Sequence, residues 1–261
     1  MRSTVIAPRP KQGKNTTDPT LLYSDWATYD RVFPLAAEEI DCYQTLLDRH
    51  GPVTGWVADL GAGGGALAAA LRLRWSVLAI DLLAGARGAA VRGDLSRPPL
   101  RSGVLGASVC RLFGVAYAAG AAGGVAPVLA ALGRCHAPGA TAVWEWPMAW
   151  RPERLQGLEE HAPLPGGGEY RFRYLDVLAA GEWGAILATR IEVTGPANRL
   201  VEAPLAVLRL GSVAATLAGA GWQLEAMYPS YDAGEATLAP PEDCLRGVVV
   251  MRAGLSGAGG R

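Results

Sequence analysis

No stretch of this chain stays apolar for the length of a membrane span, and no apolar segment follows the basic residues Arg2, Arg9, Lys11 and Lys14. Neither a membrane anchor nor a secretory leader is expected, and a soluble cytoplasmic protein fits both facts. Charge of one sign is also lacking. The 24 Lys and Arg are offset by 24 Asp and Glu, so no global field gathers a polyanion, which argues against nucleic acid as a partner. Cysteine is scarce: Cys42, Cys110, Cys135 and Cys244 are scattered, with no C-x-x-C or Cys/His ligand spacing. No metal is expected, and reduced, buried thiols are the simplest reading. Histidine is scarcer. Only His50, His136 and His161 are available as neutral-pH bases of ordinary basicity.

Apolar residues and glycine are plentiful. With 50% hydrophobic residues in 261, the chain can bury a full core, as one domain with an elaboration. The stretch WVADLGAGGGALAAAL at 56–71 reads as a buried strand, a glycine turn and a helix start. Gly61, Gly63 and Gly65 let backbone approach a ligand without a Cβ, as a nucleotide-like ligand requires. The run GAGGGA also satisfies the loose dinucleotide pattern G-x-G-x-x-A, with Asp81 where a ribose-binding acid is expected, so glycines alone leave two readings. Asp59 separates them. A pyrophosphate over the turn would meet a repulsive carboxylate, whereas the ammonium and sulfonium of S-adenosylmethionine would be attracted, directly or through water.

From Trp56 to Trp146 apolar strands alternate with Ala-rich helical stretches, the pattern of a parallel sheet covered on both faces. Strands are expected at 56–59, 76–81, 89–92, 105–110 and 140–146, with a short, irregular crossover between Asp81 and Asp94. Upstream, Leu35 to Leu47 spaces apolar residues at helical intervals. Beyond Pro147 the period changes: EYRFRYLD, LATRIEVT and RLVEAPLAVLRL read as extended segments that would form an antiparallel cap. Ser212 is expected to cap an Ala-rich helix ending at Gly221, followed by strands WQLEAMY and LRGVVVMR. The expected organisation is a flexible tail at 1–18, a helical entry segment at 19–52, a ligand-binding core at 53–147, a cap at 148–210, closing elements at 211–253 and a flexible tail at 254–261.

The ordered residues Asp59, Gly61, Gly63 and Gly65, then SVLAID ending at Asp81, then RGDLSRPPL with Asp94, then LGRCHAPGATAVWEW, resemble the class I S-adenosylmethionine-dependent methyltransferases. The resemblance covers residues 20 to 150 well and the remainder more loosely. It implies a Rossmann-like α/β fold with a mostly parallel seven-stranded sheet, helices on both faces and an antiparallel β-rich cap of the small-molecule type. It also implies S-adenosylmethionine as cofactor, S-adenosylhomocysteine as product and a small organic methyl acceptor. Asp81 would bind the ribose hydroxyls and Asp94 the adenine amino group, with Ala62, Leu82, Gly93 and Leu95 beside them. Strand four departs from the family, since Gly106 and Ala107 stand where a Phe-Asp pair is usual.

Around this frame several side chains have two readings. Tyr23, Trp26, Tyr29 and Asp30 form a cluster that either closes over the cofactor, chiefly through Tyr23 and Tyr29, or packs a helix on the sheet. Arg111, Leu112 and Phe113 follow strand four, so they should reach the methionine part or the acceptor, although Arg111 also reads as a surface arginine. Trp146, Met148 and Trp150 are placed to stack on an acceptor, while Trp144 reads as core. Methyl transfer is an in-line displacement driven largely by proximity and desolvation, so a base is optional. His161 is the candidate base. His50 reads as structural, and His136 belongs to a loop at the sheet's far edge. Glu145, Tyr170, Arg190, Glu192 and Arg209 are weaker candidates. Two other functions stay open: a non-catalytic or regulatory protein of this fold, and a dinucleotide-dependent oxidoreductase.

Overall fold

The computed structural model describes residues 26–51, 53–83, 90–164, 167–195, 198–237 and 245–254. Helices α1 (Trp26–Val32) and α2 (Ala37–Arg49) lead into strand β1 (Trp56–Leu60), followed by α3 (Ala66–Leu71), β2 (Val77–Asp81), β3 (Ala90–Arg92) and β4 (Leu105–Cys110). Helices α4 (Gly114–Ala121) and α5 (Val125–Cys135) precede the long β5 (His136–Ala149). Strands β6 (Glu159–Pro163), β7 (Glu169–Gly181), β8 (Gly184–Val193) and β9 (Arg199–Arg209) come next, then α6 (Val213–Gly219), β10 (Trp222–Tyr228) and β11 (Arg246–Ala253).

Seven strands build the central sheet in the order β3-β2-β1-β4-β5-β11-β10, with β11 antiparallel to both β5 and β10. The rest of that sheet is parallel. Its inner strands β1, β4 and β5 are mostly apolar on both faces because both are covered. Val57, Val77, Ala79 and Val143 pack against Tyr43, Leu46 and Leu47 of α2 and Leu67 and Leu71 of α3. Their neighbours Ala58, Leu60, Ile80, Trp144 and Trp146 belong to the opposite core, with Val115 of α4, Leu129 and Leu132 of α5 and Leu217 of α6.

The cap is a continuation of β5. Past the central sheet, Met148 and Ala149 pair in parallel with Leu208 and Arg209 of β9, and β9-β8-β7-β6 follow in antiparallel order. One cap face carries ion pairs such as Arg190–Glu202 and Arg173–Glu159. The other buries Phe172, Tyr174, Leu187 and Ile191 in the larger core, which is the outcome the period-two alternation of EYRFRYLD requires. Helix α4 lies directly on β9: a Cβ on Gly120 would stand 2.3 Å from the Pro204 carbonyl oxygen.

Several expectations are corrected here. Ser212 occupies the position before α6, but its side chain makes no capping bond, and the helix stops at Gly219 with Gly221 in the left-handed region. His136 is the first residue of β5 rather than part of a loop; its ring nitrogens meet the Leu132 carbonyl at 2.8 Å and Ser108 Oγ at 2.8 Å. Burial pushes its pKa down to about 4, so it stays neutral. Trp146 and Met148 are fully buried in the core and have no surface left for an acceptor, while Trp150 is partly exposed beside Gly211. Cys42, Cys110 and Cys135 are free and buried. Cys244 and Tyr23 lie outside the described residues, as do 84–89 of the crossover. No described helix is long and apolar enough to cross a membrane.

Candidate functional site

The glycine turn closes on itself through backbone geometry that side chains would prevent. Gly61, Gly63 and Gly65 all have positive φ, and a Cβ on Gly61 would stand 3.0 Å from Gly114 Cα at the start of α4. Two carboxylates frame the turn. Asp59, 2% exposed at the end of β1, accepts the Ala68 amide of α3 at 2.9 Å. Burial raises its pKa to about 7 against the lowering pull of that amide. Asp81, at the end of β2, accepts the Gly63 amide at 2.9 Å and the Leu83 amide at 2.9 Å, so the acid of the second strand is joined to the glycines of the first. Burial raises its pKa as well, with those amides opposing. Gly93 donates to the Asp81 carbonyl at 2.8 Å, Leu82 is 61% exposed beside it, and Leu95 is buried. Asp94 accepts the Ser96 amide at 2.8 Å in a local Asx turn.

A narrow crevice of about 20 Å³ lies over the turn, lined by Asp59, Gly61, Ala62, Tyr29, Phe33, Arg111 and Leu112. It is narrow because α1 crosses it: a Cβ on Gly64 would stand 3.1 Å from Asp30 Oδ1. Arg111 is neither a surface residue nor a group left open to a ligand. Its guanidinium meets both carboxylate oxygens of Glu39, at 2.8 to 3.1 Å, and donates to the Phe33 and Pro34 carbonyls, fastening the α1–α2 connection to the end of β4. A charged, largely buried bond set of this kind carries roughly 2 kcal/mol. Glu39→Gln should therefore lower unfolding free energy at pH 7 by about that amount, measured by urea denaturation.

Beside the crevice lies a cavity of about 370 Å³ between α1, α4 and the cap. The chain holds three Phe and eight Tyr; Phe33, Phe113 and Phe172 line this cavity together with Tyr29, Tyr117, Tyr170 and Tyr174. Every phenylalanine thus serves one hollow. Tyr170, Phe172 and Tyr174 alternate along β7, a signal legible in EYRFRYLD, whereas Tyr117 sits in an Ala-rich helix that offers no sequence cue. Burial raises the pKa of all four tyrosines, so they remain hydroxyls. The crevice and the cavity share a wall made of Tyr29, Phe33 and Leu112.

His161 also lines the cavity, on the exposed edge strand β6, with its side chain 67% exposed and Nδ1 3.2 Å from Glu169. Glu160 and Arg246 line the same solvent side. Other candidates are placed elsewhere. His50 pairs with Glu225 at 3.0 Å, Arg190 and Glu192 sit on the outer cap face, and Arg209 pairs with Glu153 at 3.1 Å. Glu145 is buried beneath the Leu112 corner and lines neither hollow. Among the described residues no group of His, Cys, Asp and Glu could hold a metal ion.

Neither a family model nor a curated protein matches the chain. Solved structures do. An S-adenosylmethionine-dependent methyltransferase from Clostridium acetobutylicum ATCC 824 superposes with a TM-score of 0.66 at 13% identity, covering 89% of this chain and 99% of that one. The CcbJ methyltransferase from Streptomyces caelestis gives 0.63 at 14% identity over 93% and 98% of the two chains. The sugar N-methyltransferase KedS8 from Streptoalloteichus sp ATCC 53650 gives 0.57 at 17% identity over 95% and 99%. The chain is an α/β protein with a Rossmann-like core and an added β-rich cap. Its fold is that of the class I S-adenosylmethionine-dependent methyltransferases.

Proposed function

We propose that this protein transfers a methyl group from S-adenosylmethionine to a small organic molecule seated in the aromatic cavity. The observation that carries the reading is the shared lining: a crevice built on the glycine turn adjoins a larger cavity that opens to solvent on one side, and Tyr29, Phe33 and Leu112 line both. A donor and an acceptor that meet where these residues border both hollows are close and shielded from water, which is most of what the displacement needs. The topology also speaks against the dinucleotide reading, because the β10–β11 hairpin, antiparallel next to β5, replaces the sixth parallel strand of a dinucleotide fold.

In this reading Asp81 binds the ribose, Asp94 the adenine, and Leu82, Gly93 and Leu95 border the base. Gly61, Ala62 and Gly63 admit the cofactor backbone, Asp59 faces the ammonium side, and Tyr29, Phe33 and Leu112 border the junction at which donor and acceptor meet, with Phe113 on the acceptor side. When bound, S-adenosylmethionine supplies a methyl carbon made electrophilic by the sulfonium. The cavity's own work is to desolvate and aim the acceptor. Its inner lining of hydroxyls and apolar side chains holds no base, which favours an amine nitrogen: burial depresses an amine's pKa and exposes its lone pair. His161, at the solvent side, is placed to take up the proton released. The sugar N-methyltransferase among the structural neighbours accords with nitrogen.

Calorimetric titration with S-adenosylhomocysteine, S-adenosylmethionine and NAD tests the reading. Both adenosyl ligands should bind and NAD should not. Asp81→Ala, which removes hydrogen bonds to a charged group, should weaken binding roughly tenfold to a hundredfold. NAD binding in place of the adenosyl ligands, or an unchanged affinity in folded Asp81→Ala, would overturn it.

A further inference from the structure

Position 145 is the place where β5 breaks its own rule. Its strand neighbours Val143, Trp144 and Trp146 are fully buried and apolar, yet Glu145 carries a carboxylate at 1% exposure. Burying such a group is costly unless it answers specific donors. Glu145 Oε2 accepts the Leu112 amide at 2.6 Å and the Tyr231 hydroxyl at 2.5 Å, while Oε1 is buried with no hydrogen-bond partner among the described residues. The carboxylate is therefore committed to one oxygen and two donors.

The Leu112 amide belongs to the most strained backbone in the site. Leu112 and Phe113 have φ of 53° and 64°, the only non-glycine residues with positive φ among those described. Two successive left-handed side-chain-bearing residues persist only where the surroundings over-determine them. The surroundings here are identifiable. Tyr43 Oη donates to the Cys110 carbonyl at 2.8 Å, Arg111 is tied to Glu39, and Glu145 takes the next amide along. Burial raises the pKa of Glu145, and in either protonation state Oε2 remains an acceptor. Leu112 in turn belongs to the wall shared by crevice and cavity.

We infer that Glu145 is a positioning residue: by accepting the Leu112 amide it holds the left-handed Leu112–Phe113 corner at the junction of the donor crevice and the acceptor cavity. It touches neither reactant. The inference rests on the reading of the two hollows given above, but the corner itself can be followed without any ligand.

The test compares Glu145→Leu, Glu145→Gln, Leu112→Gly and the Glu145→Leu/Leu112→Gly pair, using S-adenosylhomocysteine titration and amide hydrogen exchange of the free protein. Glu145→Leu should weaken S-adenosylhomocysteine at least tenfold and speed exchange at residues 112 to 115 at least a hundredfold, leaving β10 and β11 protected. Glu145→Gln keeps an acceptor oxygen, so its affinity should fall less than threefold. Glycine adopts the left-handed conformation without strain, so in the Leu112→Gly background the Glu145→Leu step should cost less than threefold. A merely structural carboxylate would give equal losses in both backgrounds, and that result overturns the inference, as does slow corner exchange in Glu145→Leu. If Glu145→Leu fails to fold, recovery of folding by Leu112→Gly supports the inference and no recovery overturns it. Should the wild type not bind S-adenosylhomocysteine, the functional reading falls and the exchange arm alone decides the role of Glu145.

Discussion

Gly106→Ala should destabilise the protein by about 3 kcal/mol or more, a fall of roughly 6 to 12 °C in Tm for a chain of this size. A Cβ at this position would lie 1.7 Å from the Thr54 carbonyl oxygen and 2.6 Å from its carbon. Both atoms are backbone, so nothing rotates out of the way. The clash sits at an irregularity in the sheet, where the register of β4 shifts between Leu105 and Ala107 against β5 and the register of β1 shifts at Trp56. The connection into β1 therefore runs against the start of β4 and leaves no room for a side chain. Thermal denaturation of Gly106→Ala checks this, and a Tm within 2 °C of wild type would refute it. The same crowding accounts for the departure of strand four from the family pattern. The usual Phe-Asp pair is absent because a glycine is needed at the first of its two positions, and Ala107 beside it is fully buried in the α2-side core.

How much could be read beforehand follows from which signals are local. The five core strands were legible because each combines an apolar run with a turn or acid at its end. The expected 105–110 coincides with the observed strand, 56–59 and 76–81 each differ from theirs by one residue at one end, and of 89–92 the residues 90–92 form a strand while 89 lies outside the described residues. Strand β5 was underestimated. Pro138 and Gly139 read as a turn, yet the strand starts at His136, whose buried ring is held by Leu132 and Ser108 from other elements. The cap was legible as extended segments, but not its attachment to the end of β5, because a two-residue parallel pairing with β9 leaves no pattern. That attachment is what buries Trp146 and Met148 and moves the cavity to the β7 face. Arg111 shows the same limit from the other side. Its partner Glu39 is 72 positions away, and no periodicity links them. Asp59, Asp81 and the glycines were legible because strand, turn and acid are adjacent in sequence, and their convergence is local.

Asp59 is expected to give a large pH effect between pH 4 and pH 8. Its pKa is raised by burial to about 7 from the ordinary aspartate value of 3.8, so between those values the unfolded chain has released a proton that the folded protein retains. Stability then falls as pH rises through this window and levels off above about 7, with a total near 4 kcal/mol for a shift of this size. Other carboxylates titrate in the same range, so the quantity to measure is a difference. The stability of Asp59→Asn relative to wild type should rise by about 4 kcal/mol between pH 4 and pH 8 in urea denaturation, because the amide has no charge to bury. Ligand binding should reverse the sign. A cationic ligand in the crevice favours the ionised carboxylate, so S-adenosylmethionine binding near pH 6 should expel up to one proton from the wild type and none from Asp59→Asn. Titration in two buffers of different ionisation enthalpy reads that proton directly. Equal heats in both buffers would mean that Asp59 serves only the Ala68 amide and helix α3, and that the ammonium of the ligand is met elsewhere.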